Sequence, residues 1–166
     1  MDSTTVGKSI TGASHSGYYV DDLDRTIDFY TRVLGAKLAW RNEAGSKTPL
    51  IKLYVGDFGL SILKRPPGEP KVDIPHAVHL AFRVDWKTAE EAVEYIKSCG
   101  VEVEGPVGHK REVGIVNWFF VDPDDFRLEV EARFPTAEQA AAVIERGKAG
   151  RKPEMGLYAG DPVLKK

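Results

Sequence analysis

Two histidines and one glutamate in this sequence form the set of side chains that a divalent metal ion requires. His15 and His79 lie 64 residues apart (79 − 15), each on the first strand of a predicted unit, and Glu129 lies on the last predicted strand. Two imidazoles and one carboxylate suit non-haem Fe(II) and leave coordination positions open for a substrate and dioxygen. The ligand types also admit Mn, Zn or Ni.

The alternation of apolar and charged residues assigns the glutamate to one side of its strand. Residues 121–131 are predicted to form a turn and then a strand, because Asp-Pro and Asp-Asp favour turns and the following residues alternate with the period of a half-buried strand. Glu129 falls on the charged side together with Glu131, which is therefore the rival ligand. His76 is three residues from His79, so the alternation turns it to the other face and makes it a strand-end residue.

A weak internal repeat supports the same three positions. Residues 57–65 are a fainter copy of residues 125–133, at an offset of 68 (125 − 57), and the two histidines show a similar spacing. In this comparison Ser61 takes the place that Glu129 fills in the second copy. A period near this value predicts one supersecondary unit used twice around a shared core.

Each copy is predicted to contain a strand, a helix and three strands, within one domain that spans residues 10–133. The first module, 10–65, has strands at 10–20, 36–41, 50–55 and 60–64, with a helix from the cap Asp22 to Gly35. The second module, 76–133, has strands at 76–84, 101–104, 113–121 and 127–132, with a helix from the cap Asp85 to Gly100. A Pro- and Gly-rich linker, 66–75, joins the modules.

The two ends of the chain are predicted to lie outside these modules. Residues 1–9 are polar and are expected to be flexible. Residues 134–166 are expected to form a C-terminal helix and a tail. The helix is predicted to start at the capping box Thr136–Gln139 and to continue to about residue 146, and a polar tail follows from 147.

Composition excludes several kinds of partner. The net charge is −2 and there is no basic block, so neither nucleic acid nor an anionic membrane surface is expected as a partner. No stretch is long and apolar enough to span a membrane. The single cysteine, Cys99, has no partner for an internal disulfide, which favours a reducing, cytoplasmic location.

Four segments resemble the vicinal oxygen chelate superfamily, which includes glyoxalases, extradiol dioxygenases, epimerases and resistance proteins. They are residues 15–23 (HSGYYVDDL), 29–35 (FYTRVLG), 79–84 (HLAFRV) and 120–129 (FVDPDDFRLE). The resemblance implies an α+β fold in which two βαβββ modules form an open, cup-shaped mixed β-sheet with the helices outside, often in a homodimer. It also implies four ligand positions, occupied here by His15, Ser61, His79 and Glu129.

Ser61 is the departure from this pattern, because glyoxalase I places a carboxylate or another ligating side chain there. A three-ligand site favours an Fe(II) extradiol-type dioxygenase, acting on a small, largely apolar or aromatic substrate that chelates the metal through two oxygens. The fosfomycin branch is less favoured, because Val113 and Phe119 stand where polar groups are expected. The extradiol pattern is itself incomplete, because Phe119 replaces its tyrosine.

The resemblance also suggests roles around the metal. His109 and Tyr19 are the candidates for proton transfer. The residues expected to contact the substrate share the predicted cup face; they are Ser61, Leu63, Asn117, Phe119 and Glu131.

Two alternatives remain at this stage. One is a metal-dependent lyase or isomerase of the glyoxalase type, acting on a substrate that forms an enediolate, with Glu131 as the base. The other is a non-catalytic small-molecule-binding protein of the resistance type. Retention of His15, His79 and Glu129 disfavours the second.

Overall fold

A computed structural model describes residues 11–42, 45, 47–73, 75, 77–108 and 113–149 of the chain. The chain divides into two compact units, Met1–Val72 (unit 1) and Asp73–Lys166 (unit 2). Each unit has the order strand, helix, three strands, and unit 2 adds a C-terminal helix. This confirms the predicted α+β class with two βαβββ modules. The predicted flexible segment 1–9 lies outside the described residues, as does the tail from residue 150 onward.

Unit 1 is a four-stranded mixed sheet with one helix. Its elements are β1 (His15–Val20), α1 (Leu23–Leu34), β2 (Lys37–Asn42), β3 (Leu50–Val55) and β4 (Phe58–Lys64). The strand order is β1-β4-β3-β2, in which β1 and β4 are parallel and the other pairs are antiparallel. One face of this sheet is apolar and buried, with Ile51, Leu53, Leu60 and Ile62 fully covered.

Helix α1 has the caps that the sequence predicts. The Asp22 carboxylate accepts a hydrogen bond from the Arg25 backbone N–H at 3.0 Å, and Gly35 ends the helix at a positive φ of 63°. The buried side of the helix carries Leu23, Phe29, Tyr30 and Val33. The helix thus covers the apolar face of the sheet and leaves the other face for the predicted site.

Replacing Asp22 with alanine is expected to lower the free energy of unfolding by about 1 kcal/mol, because the first turn of α1 loses its side-chain acceptor. Urea denaturation of the two proteins measures this difference. Asp22→Ser keeps an acceptor at the cap and should recover most of the loss. An alanine variant as stable as the wild type would contradict the assigned role of this cap.

Unit 2 repeats this plan and extends it. Its elements are β5 (His79–Val84), α2 (Ala89–Ser98), β6 (Glu104–Gly108), β7 (Ile115–Val121), β8 (Arg127–Arg133) and α3 (Ala137–Ala149). The strand order is β5-β8-β7-β6, again with the first and last strands of the module parallel. In the β5–β8 register His79 lies opposite Arg127, and in the β7–β8 register Phe119 lies opposite Glu129.

Strand β6 differs from the prediction of a strand at 101–104. It runs from Glu104 to Gly108 and therefore passes through Gly105 and Pro106, beyond the end of the predicted strand. Proline is tolerated because β6 is an edge strand, where a missing N–H costs no ladder hydrogen bond. Gly105 is required because a Cβ there would lie 2.7 Å from the Asn117 carbonyl oxygen.

The start of α2 also differs from the prediction. Its N-cap is Thr88, whose side chain makes no capping hydrogen bond, whereas Asp85 was the predicted cap. The Asp85 carboxylate instead accepts a hydrogen bond from the Lys87 backbone N–H at 3.0 Å, in the turn before the helix. The acidic residue therefore shapes the approach to the helix rather than its first turn.

The C-terminal helix packs on strand β6. Its predicted capping box is present, since the Gln139 backbone N–H donates to Thr136 Oγ1 and the Thr136 N–H donates to Gln139 Oε1, both at 3.3 Å. A Cβ at Gly147 would lie 2.1 Å from Pro106 Cδ, so the helix approaches the edge strand closely. Among the residues that the structure describes, no helix is long and apolar enough to cross a membrane.

Candidate metal and substrate site

A histidine and a glutamate meet on neighbouring parallel strands of unit 2. His79 starts β5 and Glu129 is the third residue of β8, and both side chains lie on the face away from Leu128 and Val130. His79 Nε2 lies 2.8 Å from Glu129 Oε2. The Glu129 side chain is only 5% exposed, whereas that of His79 is 36% exposed. A buried carboxylate beside an accessible imidazole is the geometry expected of two metal ligands.

The backbone fixes the orientation of the His79 ring. His79 Nδ1 lies 3.0 Å from the carbonyl oxygen of Ala77. A carbonyl oxygen only accepts hydrogen bonds, so Nδ1 is the donor in this contact, and Nε2 is the ring nitrogen that faces Glu129. This second contact is typical of histidines that bind metals. His79 is therefore prepared to bind an ion through the nitrogen that faces Glu129.

An aromatic ring and a buried arginine support the histidine. The Phe119 ring contacts His79 edge to face, with 6.0 Å between the ring centroids. The guanidinium of Arg127 lies 4.5 Å from the centre of the same Phe119 ring and donates to Glu104 Oε2 at 3.0 Å. Phe119 thus contacts both His79 and Arg127. The sequence analysis missed Arg127 and Glu104, although Arg127 belongs to the same alternating row as Glu129.

Glu131, the predicted rival ligand, forms ion pairs with two arginines. Its Oε1 accepts hydrogen bonds from Arg83 Nε at 3.1 Å and from Arg133 Nε at 3.3 Å. Asn117 is buried and lies opposite Glu131 in the β7–β8 register. The predicted substrate contacts Asn117, Phe119 and Glu131 therefore share the face of Glu129.

Unit 1 presents the remaining predicted residues on one face of its sheet. His15 lies opposite Gly59 in the parallel β1–β4 register, and Tyr19 lies opposite Leu63. Ser61 is two residues beyond Gly59 on β4 and shares this face. His15 Nδ1 lies 2.8 Å from Ser14 Oγ, which leaves Nε2 as the nitrogen available to a ligand.

A lysine that the sequence analysis did not consider lies on the same face. Lys52 pairs with Ser61 in the β3–β4 register, and its Nζ donates a hydrogen bond to Ser61 Oγ at 2.9 Å. Its one sequence signal is a single charge inside the otherwise apolar and aromatic strand Leu50–Val55. The position that the resemblance assigns to a fourth ligand therefore holds a hydroxyl hydrogen-bonded to an ammonium group.

The structure brings together two of the three predicted ligands. His79 and Glu129 are in contact in unit 2, whereas His15 belongs to unit 1. Within the described part of either unit, no group of three or more His, Cys, Asp or Glu side chains forms a metal cluster. The three-ligand set remains a prediction. His109 and His76 lie outside the described residues.

Comparison with known proteins links the chain to one superfamily. A family model described as the Glyoxalase/Bleomycin resistance protein/Dioxygenase superfamily matches residues 12–130. The lactoylglutathione lyase of Escherichia coli O157:H7 is 33% identical over 122 residues, which cover 70% of this chain and 88% of the relative. A probable chloroplastic lactoylglutathione lyase of Arabidopsis thaliana is 32% identical over 138 residues, which cover 80% of this chain. The match spans only 39% of that plant relative.

Solved structures show the same fold. The fosfomycin resistance protein FosX from Listeria monocytogenes superposes with a TM-score of 0.59 at 22% identity, over 79% of this chain and 98% of that chain. A mutant of the same FosX was solved in complex with Mn(II) and a dihydroxypropylphosphonic acid. At this level of identity the likeness concerns the fold alone.

Proposed function

We propose that this chain, which belongs to the Glyoxalase/Bleomycin resistance protein/Dioxygenase superfamily, is a metal-dependent lyase or isomerase of the glyoxalase type. The curated relatives named above are lactoylglutathione lyases, which favours this alternative over the extradiol dioxygenase that the sequence analysis placed first. None of them supports Fe(II) or dioxygen, so the proposal is limited to a divalent metal. A homodimer is part of the same proposal.

The contact between His79 and Glu129 carries this proposal. His79 Nδ1 contacts the Ala77 carbonyl oxygen, and the Glu129 side chain is buried, so contacts outside a metal site restrict the orientation of both side chains. The ligand set proposed from the sequence, His15, His79 and Glu129, comprises the residues that would hold the metal. When bound, a divalent ion polarises two neighbouring oxygens of the substrate and makes the adjacent C–H more acidic.

The other predicted site residues would bind the substrate and move its proton. Glu131 is the candidate base: it would take a proton from one carbon and return it to the next, while Arg83 and Arg133 hold its carboxylate in place. Tyr19 remains a second candidate for proton transfer, and Phe119 would limit access of water beside His79.

The substrate class follows from the names of the relatives. We propose the hemithioacetal of a 2-oxoaldehyde and a thiol as the substrate; its isomer is a 2-hydroxyacyl thioester, the type of compound that the name lactoylglutathione describes. All atoms are retained in this reaction, because one proton moves from the carbon that bears sulfur to its neighbour and the carbon–sulfur bond stays intact. Such a substrate offers the two neighbouring oxygens that the site requires.

The reaction is tested on metal-free protein loaded in turn with Ni²⁺, Zn²⁺, Mn²⁺ or Fe²⁺. With glutathione and methylglyoxal, which combine spontaneously to the hemithioacetal, at least one metal form should produce the thioester, measured by its ultraviolet absorbance. Treatment with EDTA should abolish this activity, and adding the metal back should restore it.

Two outcomes would contradict the proposal. Oxygen consumption with a catechol by the Fe²⁺ form, without thioester formation, would support the dioxygenase hypothesis instead. The absence of turnover with every metal, in protein that still binds the hemithioacetal, would support a non-catalytic binding protein.

A further inference from the structure

The ammonium group of Lys52 lies on the proposed site face of unit 1 beside His15 and Ser61. Lys52 Nζ donates to Ser61 Oγ at 2.9 Å and lies 5.6 Å from the centre of the Tyr54 ring. A Cβ built at Gly59 would lie 2.6 Å from this ammonium and 3.1 Å from the His15 Cβ. The missing side chain at Gly59 therefore makes room for a cation directly beside the predicted ligand His15.

This cation has no acidic partner in the described part of unit 1. The carboxylates Asp21, Asp24 and Asp28 pair with arginines, and Lys52 forms no ion pair there. Lys52 is part-buried, so its charge is less well solvated than that of a surface lysine. A neutral hydroxyl satisfies only one of the three N–H donors of an ammonium group.

Ser61 adds a second donor to the same place. Because Ser61 Oγ accepts a hydrogen bond from Lys52, its own O–H is available to donate. An ammonium and a hydroxyl side by side match the two oxygens of a carboxylate, and hydrogen bonds of this charge-assisted kind are the stronger ones. A neutral ligand would gain much less from the ammonium.

We propose that Lys52 and Ser61 bind a carboxylate of the substrate and thereby select acidic over neutral substrates. This deepens the proposed function, because the ligand would be the substrate, yet the binding step needs no metal. It also gives a role to Ser61, the position where the chain departs from the glyoxalase pattern. A hydroxyl bonded to an ammonium group lies where the resemblance expects a metal-binding side chain.

The test uses two small ligands that differ chiefly in charge, glycolate and glycolamide. Each is titrated into the metal-free, full-length protein, and binding is followed by the amide chemical shifts of β3 and β4 in ¹H–¹⁵N spectra. We expect glycolate to bind about tenfold more tightly than glycolamide, because one charge-assisted hydrogen bond accounts for about that factor.

Two variants assign the effect to Lys52. In Lys52→Met the preference for glycolate should disappear, and in Lys52→Arg it should persist. Lys64→Met is the matched control: Lys64 is an exposed lysine of β4 with the opposite parity to Ser61, so its loss changes the net charge equally without touching this face. It should leave the tenfold preference unchanged.

The proposal fails if the wild type binds both ligands equally or if Lys52→Met keeps the preference for glycolate. Should Lys52→Met not fold, the wild-type comparison still decides, since added NaCl must weaken glycolate binding and leave glycolamide binding unchanged. The thioester assay is a separate measurement. Normal turnover without charge preference would overturn this inference alone, and charge preference without turnover would overturn only the proposed function.

Discussion

Replacing Glu129 with glutamine is expected to weaken divalent-metal binding by more than about 100-fold, since changes even to the partners of metal ligands cost 10–100-fold. The carboxylate is 5% exposed and lies 2.8 Å from His79 Nε2, so no solvent-facing acid can take its place without moving the strand. Glutamine has the same size but carries no charge. The loss of metal affinity in this variant therefore measures the contribution of the negative charge of Glu129.

The matched control for this prediction is Glu131→Gln, two residues away on the same face of β8. Its carboxylate is bound by Arg83 and Arg133, and we expect metal affinity within a few-fold of the wild type. Metal content by elemental analysis and titration with Zn²⁺ give the two affinities. The ligand assignment is wrong if Glu131→Gln loses the metal and Glu129→Gln keeps it.

Replacing Asp122 with alanine is expected to lower the free energy of unfolding by about 3 kcal/mol. Asp122 is 2% exposed, and its Oδ1 accepts hydrogen bonds from the backbone N–H groups of Asp124 and Phe126, each at 2.9 Å. Alanine would leave two buried donors without their charged acceptor, and each such bond contributes about 1.5–3 kcal/mol. This turn leads directly into β8, so its loss also disturbs the position of Glu129.

Asp122→Asn separates the acceptor from the charge. Asparagine keeps an oxygen at the same place, and we expect it to cost about 1 kcal/mol, the difference between charged and neutral hydrogen bonds. Urea denaturation, followed by far-UV circular dichroism, measures both variants. Equal losses in the two variants would show that the negative charge, rather than the pair of hydrogen bonds, stabilises the turn.

The alternation of apolar and polar residues along each strand was enough to predict which residues share a face of the sheet. It could not predict contacts between side chains of neighbouring strands, because these depend on how the strands pair. It placed Glu129, Glu131, Phe119 and Asn117 on one side of the second module, as the β7–β8 register has them. Alternation contains no information about which residue lies opposite which. The contact of Lys52 with Ser61 depends on the β3–β4 register and was therefore missed.

The identity of one residue also set the preference among functions in the sequence analysis. The dioxygenase hypothesis was preferred because Ser61 leaves only three predicted ligands where glyoxalase I has four, whereas the relatives named above are lactoylglutathione lyases. The sequence shows that the fourth ligand position lacks a carboxylate, but it does not show which side chain lies beside that position in the fold. Here Ser61 is bonded to Lys52, a neighbour that only the folded sheet brings to it.

The parallel pairing of first and last strands has a consequence for how the chain folds during its synthesis. β1 pairs with β4, and β5 pairs with β8. The first strand of each unit is therefore an edge strand, and it can pair only after the last strand of that unit has been synthesised. Such distant pairing slows folding, because the intervening loop must close first. The duplication limits this delay, because each parallel pairing joins strands of the same unit. We therefore expect residues 15–64 to pair before residues 79–133 have left the ribosome.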